Sequence, residues 1–254
     1  MDASNSSNER LSSKAADSSS EVVYECGTAD MADELCKFVM NYLIRETFGV
    51  RTVRALCPEE SGQCDGRSLQ NSRYDINTVD VIIAMKMTCD KCLASGLTFL
   101  ARCDGRIVGA RLTSIWQRGD KRDSLAGVWN EPFLVGLLFL AELEKDKELL
   151  LPAHVDKVGN YEGVSVHPDF RRRGIAQRLN ELTVAKAREL GVQGITVSAT
   201  SPKSQALFTK MGFQTLHELK VGSYVNGKGE TVEAVVDENN AEYGKFMFFP
   251  LAQE

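Results

Sequence analysis

Three consecutive arginines and a small turn-forming pair, Arg171-Arg172-Arg173-Gly174-Ile175-Ala176, stand between a β-branched run, Tyr161-Glu-Gly-Val-Ser-Val166, and a helical stretch reaching Leu190. A loop that feeds a helix leaves several backbone N–H groups without intrahelical partners, and the positive end of the helix dipole lies beside them. That combination suits a phosphate, and three guanidinium groups over the same cradle suit a diphosphate. Gly174 removes a side chain where a ligand must approach the backbone, and Ala176 keeps the first turn slim. The alternative for these residues is a solvated basic loop that simply turns the chain. The sequence contains neither GxGxxG nor GxxxxGK[ST], so dinucleotide and nucleoside-triphosphate readings find no support.

Other reactive residue types are less informative. All seven cysteines (Cys26, Cys36, Cys57, Cys64, Cys89, Cys92 and Cys103) fall in the first 103 residues. An odd number in a chain of this length reads as reduced thiols in a reducing, cytoplasmic compartment. Cys89-x-x-Cys92 sits inside a predicted helix, where two small buried hydrophobes are expected rather than a zinc site, and no metal is expected. His154, His167 and His217 show no ligand spacing. Phe133, Leu137, Leu138 and Phe139 form an apolar stripe that suits core, or else the lining of an aryl pocket.

The elements that must position the arginine loop can be read around it. The chain has 254 residues, 43% hydrophobic and 26% charged, with a formal net charge of −5. That is a globular mixture with no bulk cationic field, which argues against nucleic acid as a partner. The apolar run over 132–140 is far shorter than the roughly 20 residues that span a bilayer, and no secretory signal is visible. Residues 1–20 hold eight serines and read as a disordered tail, leaving 21–254 as one domain. The pattern predicts a strand over 21–26, helices over 30–46 and 80–96, and a hairpin turning at Asp104-Gly105. An apolar helix within 131–151 follows, and 57–77 reads as a loop or insertion. Downstream, helix 175–190 stops at Gly191, strand 195–200 precedes helix 201–211, and two final strands occupy 213–225 and 243–249. Strand, loop, helix and strand in that order imply one parallel pair with a right-handed crossover.

Val164-Ser-Val-His-Pro-Asp-Phe-Arg171-Arg-Arg-Gly174-Ile-Ala176 resembles the acetyl-CoA signature [QR]-x-x-G-x-[GA] of the GCN5-related N-acetyltransferase superfamily. Ser201-Pro-Lys-Ser-Gln-Ala-Leu-Phe-Thr-Lys-Met-Gly212-Phe213 resembles the superfamily's next helix, which usually ends in a Tyr-x-x-x-Gly-Phe-like run. The resemblance implies an α/β fold: a central mixed, mostly antiparallel sheet with one splayed parallel strand pair, flanked by helices. It implies acetyl-CoA as co-substrate, with Arg171, Arg172, Arg173, Gly174, Ile175 and Ala176 holding the pyrophosphate. Val164, Ser165 and Val166 would pair with the pantetheine amides, and Ser201 takes the place of an Asn that touches the pantetheine arm. Phe208 replaces the Tyr often credited with protonating the leaving thiolate.

Within the superfamily the sequence is similar to the insect-type arylalkylamine N-acetyltransferases. Tyr42-Leu-Ile-Arg-Glu46-Thr-Phe48 matches the segment that carries their catalytic Glu, with Thr47 in place of the usual Pro. Their two hydroxyl positions fall on Thr200 and Ser204. The resemblance implies Glu46 as the general base toward a primary amine, and Thr200 and Ser204 as proton relays. A solvent-facing Glu46 paired with Arg45 or Arg51 is the alternative. The expected function is acetyl transfer to a small-molecule amine, foremost an arylalkylamine such as dopamine, serotonin, tyramine or octopamine. The alternatives are polyamines, amino acids or protein amines, or a coenzyme-A-binding module without catalysis. No nucleic acid and no membrane is expected, and the chain should be a monomer or weak homodimer.

Overall fold

A computed structural model describes residues 21–44, 78–121, 127, 131–220, 224–225, 231–232 and 241–251. The Ser-rich tail, the 57–77 insertion and Glu46 lie outside the described residues. The strands are β1 (Val23–Cys26), β2 (Phe99–Cys103), β3 (Arg106–Gln117), β4 (Lys157–Val166), β5 (Gly194–Ala199), β6 (Gln214–Lys220), β7 (Tyr224–Val225), β8 (Thr231–Val232) and β9 (Tyr243–Pro250). The helices are α1 (Ala32–Val39), α2 (Val79–Ala94), α3 (Glu131–Leu143), α4 (Lys147–Leu150), α5 (Ile175–Glu189) and α6 (Pro202–Lys210).

Seven strands form one sheet in the order β1-β2-β3-β4-β5-β9-β6, and β7 pairs with β8 apart from it. Every neighbouring pair in the large sheet is antiparallel except β4 and β5. This is the mixed sheet with one parallel pair that the sequence implies. β9 enters between β5 and β6, so the last strand of the chain closes the gap left by the α6 connection.

Local chemistry explains the boundaries. Asp104 (φ 50°) and Gly105 (φ 75°) both adopt the left-handed conformation that a tight two-residue hairpin requires. α5 ends at Gly191 with φ 65°, as its sequence predicts. The apolar helix expected within 131–151 is α3, and after a break at Glu144–Asp146 the charged stretch that follows it forms a second, short helix, α4.

Helices cover both faces. α1, α2 and Phe133 of α3 pack on Leu100, Ala110 and Leu112. α5 and α6 pack on the other face, with Ala187, Ile195, Val197, Phe208 and Met247 in one cluster and Ile175, Leu179, Ala101 and Val166 in another. A Cβ on Gly109 would lie 2.8 Å from Ile175, so β3 and α5 approach as closely as a glycine permits. Cys89 and Cys92 are fully buried between α1 and α2.

Candidate active site

β4 pairs with β5 only from Val158 to Tyr161, opposite Gly194 to Val197. Beyond Tyr161 the two strands are no longer paired, although β4 continues to Val166 against β3. The cause is local to β4. Leu112 faces Gly163 and Thr113 faces Tyr161, which leaves Glu162 as one extra residue in β4. A bulge of this kind bends its strand and increases the local twist, here turning β4 away from β5.

The open edge is chemically usable. His167 N–H donates to Val108 O at 2.8 Å, so the two-residue period directs the peptide groups of Ser165 toward β3. The N–H and C=O of Val164 and Val166 therefore point to the open side. Arg171 Nε donates to Val166 O at 3.1 Å. Val164 and the Val166 N–H remain positioned to pair with the amides of an extended ligand.

The arginine loop stands at the end of this edge. Arg171, Arg172, Arg173 and Gly174 are all exposed, and Arg173 lies 4.9 Å above the Phe170 ring. Arg172 (φ 61°) and Gly174 (φ 77°) are both left-handed, a conformation that costs a non-glycine residue energy and bends successive amides into a concave nest. The first regular α5 bond runs from Arg178 N–H to Gly174 O at 2.9 Å. The amides of Gly174, Ile175, Ala176 and Gln177 are thus the orphan donors of a 15-residue helix. The space around Gly174 is open within 4 Å, as a backbone cradle for a pyrophosphate needs. These residues fit coenzyme A on both counts, the amide edge and the anion nest.

The segment leading to Glu46 is held against the same place. α1 loosens into a π turn over Met40–Ile44, a distortion common near functional sites. A Cβ on Gly163 would lie 2.6 Å from Leu43, so the turn packs directly on β4 beside the bulge. Tyr42 stacks on His167 at 4.8 Å, and His167 meets Phe170 edge-on at 5.9 Å, which links this turn to the arginine loop.

At α6 the hydroxyls have structural partners. Ser201 is the N-cap, accepting from Ser204 N–H at 3.2 Å, while Ser204 Oγ accepts from Ser201 N–H at 3.2 Å and donates to Ser201 O at 2.9 Å. This is a reciprocal capping box. Thr200 ends β5, and its carbonyl accepts from Ala241 N–H at 3.3 Å. Phe208 is buried in a ring cluster, 6.2 Å from Tyr161 and 5.0 Å from Phe213. The Tyr161 hydroxyl is fully buried with no hydrogen-bond partner, and burial pushes its pKa up. The guanidinium of Arg111 lies 4.0 Å over the Tyr161 ring and donates to Asn180 Oδ1 at 2.8 Å. Complete burial lowers the Arg111 pKa to about 10.

Sequence reasoning missed a polar chain on the opposite face, beneath the point where β4 and β5 part. Glu162 Oε1 accepts from Ser114 Oγ at 2.7 Å and from Asn160 Nδ2 at 3.0 Å. Asn160 Oδ1 accepts from Thr196 Oγ1 at 2.8 Å and from Lys147 Nζ at 3.0 Å. Lys147 pairs with Glu144 at 3.4 Å, and Glu144 accepts from Ser198 Oγ at 2.6 Å. Glu162 stands within the quoted run Tyr161-Glu-Gly, but only the register reveals that it is the bulge residue. Among the described residues, no group of three or more His, Cys, Asp or Glu is arranged to hold a metal ion. No helix among them is long and apolar enough to cross a membrane.

The geometry agrees with comparison to known proteins. No curated protein sequence matches the chain. Among solved structures, arylalkylamine N-acetyltransferase 2 from Aedes aegypti superposes with a TM-score of 0.67 at 22% identity, over 90% of this chain and 98% of that one. The polyamine N-acetyltransferase of Drosophila melanogaster gives 0.65 at 17% identity, over 91% and 100%. The C-terminal condensation domain of Ebony, in complex with β-alanyl-dopamine, gives 0.66 at 13% identity, over 91% and 100%. At these identities the likeness establishes the fold. The model of the acetyltransferase (GNAT) family matches residues 76–213, more than half the chain and the part that holds the bulge, the open edge and the arginine loop. The protein therefore belongs to the acetyltransferase (GNAT) family.

Proposed function

We propose that this chain transfers an acetyl group from acetyl-CoA to a primary amine, with arylalkylamines such as dopamine, serotonin, tyramine and octopamine as the favoured acceptors. The observation that carries the reading is the open β4 edge running from the Glu162 bulge to the α5 amides in a chain of this family. In this reading the amides of the Arg172–Ala176 turn hold the pyrophosphate, with Arg171, Arg172 and Arg173 adding charge. Val164 and Val166 hold the pantetheine arm, Ser165 keeps the strand bonded to β3, and Ser201 lies beside the arm at the head of α6. The thiols of Cys26, Cys36, Cys89, Cys92 and Cys103 are consistent with a reducing, cytoplasmic compartment.

The acceptor approaches from the face opposite α5, where Leu43, Glu162 and Ser198 surround the parted strands. An amine of pKa about 10 is roughly one part in a thousand free base at pH 7, so a carboxylate that takes its proton raises the reactive fraction. Glu46, two residues beyond the π turn packed on Gly163, is assigned that role. The amine nitrogen attacks the thioester carbonyl carbon, and the oxygen that gains charge is met by a strand N–H near Val164. The C–S bond then breaks, and the thiolate takes a proton through Thr200, Ser204 or solvent. Ser204 must release its bond to Ser201 O to take part.

Release of free thiol from acetyl-CoA across a panel of amines tests the activity, and no turnover with any amine overturns it. Glu46→Gln should lower kcat about 100-fold at pH 7 with coenzyme A affinity unchanged, and by less at higher pH as the free amine fraction rises. An unchanged kcat would remove Glu46 as the base.

A further inference from the structure

Lys147 is a buried cation at the acceptor side of the sheet, with only 7% of its surface exposed. It stands at the start of α4, and its ammonium lies 5.2 Å over the Trp116 ring and 5.6 Å over Phe246. Its hydrogen bond to Asn160 and its ion pair with Glu144 place it between two carboxylates. Glu144 reaches Ser198, on the part of β5 that β4 no longer covers. Glu162 sits across the opening on the β4 bulge, joined to the same chain through Asn160. Glu162 is bonded to Ser114 of β3 and Glu144 to Ser198 of β5, so the two carboxylates flank the parted strands, and Lys147 is linked to both.

The charges around the opening decide what it can accept. With Lys147 paired to Glu144, one carboxylate, Glu162, remains without a cationic partner among the described residues. Glu162 and the assigned base Glu46 each favour a cationic group, and Lys147 cancels the further negative charge that Glu144 would add. A second cationic group on the same acceptor would be brought toward Lys147 and repelled at short range.

We propose that Lys147 is a specificity-determining residue: by neutralising Glu144 it takes one negative charge from the acceptor side and so selects amines of one positive charge over diamines and guanidino-amines. The proposal rests on the acetyl-transfer reading above and deepens it. Lys147 acts on the acceptor through Glu144, so it is a positioning residue rather than a catalytic one.

The test is a comparison of kcat/KM for tyramine against putrescine and agmatine at saturating acetyl-CoA. The wild-type chain should favour tyramine by more than about tenfold. Lys147→Met keeps the volume and removes the charge, leaving Glu144 uncompensated. It should move the ratio toward the dications by about tenfold, chiefly through their KM. The double variant Lys147→Met/Glu144→Gln restores the wild-type charge balance and should return the ratio toward wild type. Lys147→Gln, which retains a donor for Asn160, is the substitute should Lys147→Met fail to fold. A wild-type preference for dications, or a ratio unchanged in a folded Lys147 variant, overturns the proposal. Calorimetry with coenzyme A separates the failures. Binding without turnover of any amine removes the acceptor reading and this proposal with it, whereas no binding removes the donor reading as well.

Discussion

The two faces of the sheet each bury a cation against the strands around the Glu162 bulge, Arg111 from β3 and Lys147 from α4, and they treat it in opposite ways. On the α5 face, Arg111 is 1% exposed, and no carboxylate among the described residues faces it. Its charge is met by the Tyr161 ring and Asn180, and Nη2 has no hydrogen-bond partner. On the α1–α4 face, Lys147 lies in a chain of bonded groups with a carboxylate on either side. Desolvating a charge without full compensation is costly, so the Arg111 cluster is a stability liability closed off from ligand. The Lys147 chain is nearly satisfied and opens at the parted strands, where it can act on a substrate. Burial alone does not mark a functional charge; connection to an open strand edge does.

The comparison can be broken most sharply at the donor site. Gly174→Val places a β-branched side chain at φ 77° in the anion nest. Coenzyme A affinity should fall at least about 100-fold in calorimetry, with amine-face substitutions leaving it untouched. An unchanged affinity would remove the α5 amides from the donor site.

Arg111 should behave as packing. Arg111→Ala opens a cavity beside Tyr161 and should cost about 2–4 kcal/mol in urea denaturation. Arg111→Met, which keeps the volume and discards the unpaired charge, should stay within about 1.5 kcal/mol of wild type. The sign of the pH effect follows from the lowered pKa. Burial disfavours the charged form, so the penalty is complete below about 10 and fades as pH rises toward the ordinary guanidinium range. Wild type should therefore gain on Arg111→Met between pH 8 and 10.5 in paired thermal melts, and an advantage that shrinks with pH would refute the assignment.

Glu162→Gln should lower kcat/KM for a monoamine about 30-fold while coenzyme A affinity holds, because the substitution removes an uncompensated carboxylate at the acceptor side. A parallel loss of coenzyme A binding would show that the bulge, rather than the charge, had been damaged. The smallest effect is expected at the α6 cap, where Ser201→Ala should cost about 1 kcal/mol of stability. Ser204→Ala separates the two roles of that hydroxyl: a lowered kcat at matched stability supports the relay, and a stability loss alone leaves Ser204 as a cap.

Signals within a few residues were readable in the sequence because short-range sterics decide them. Asp104-Gly105 turns the hairpin, Gly191 ends α5, and Ser201 begins α6, each at its expected place. The arginine loop was legible for the same reason, since a nest followed by a helix is built from consecutive residues. The Glu162 bulge was not, because a bulge exists only in register with a partner strand. The apolar helix within 131–151 was legible as α3, but the short α4 was not, because Glu144-Lys-Asp-Lys-Glu148 reads as a charged stretch with no helical period. Lys147 read as one charge in a charged stretch; Glu144 is three positions away, but Asn160, Trp116 and Phe246 come from 13 and more positions away along the chain.

The order of the residues alone thus specified most of the elements and the loop-to-helix turn at Gly174, which depend on neighbours in the chain. Only the tertiary structure decided that β9 lies between β5 and β6, that β4 parts from β5 after Tyr161, and that Lys147 stands between Glu144 and Glu162. Those outcomes depend on hydrogen-bond register and on packing across the sheet, and both arise only when distant segments meet.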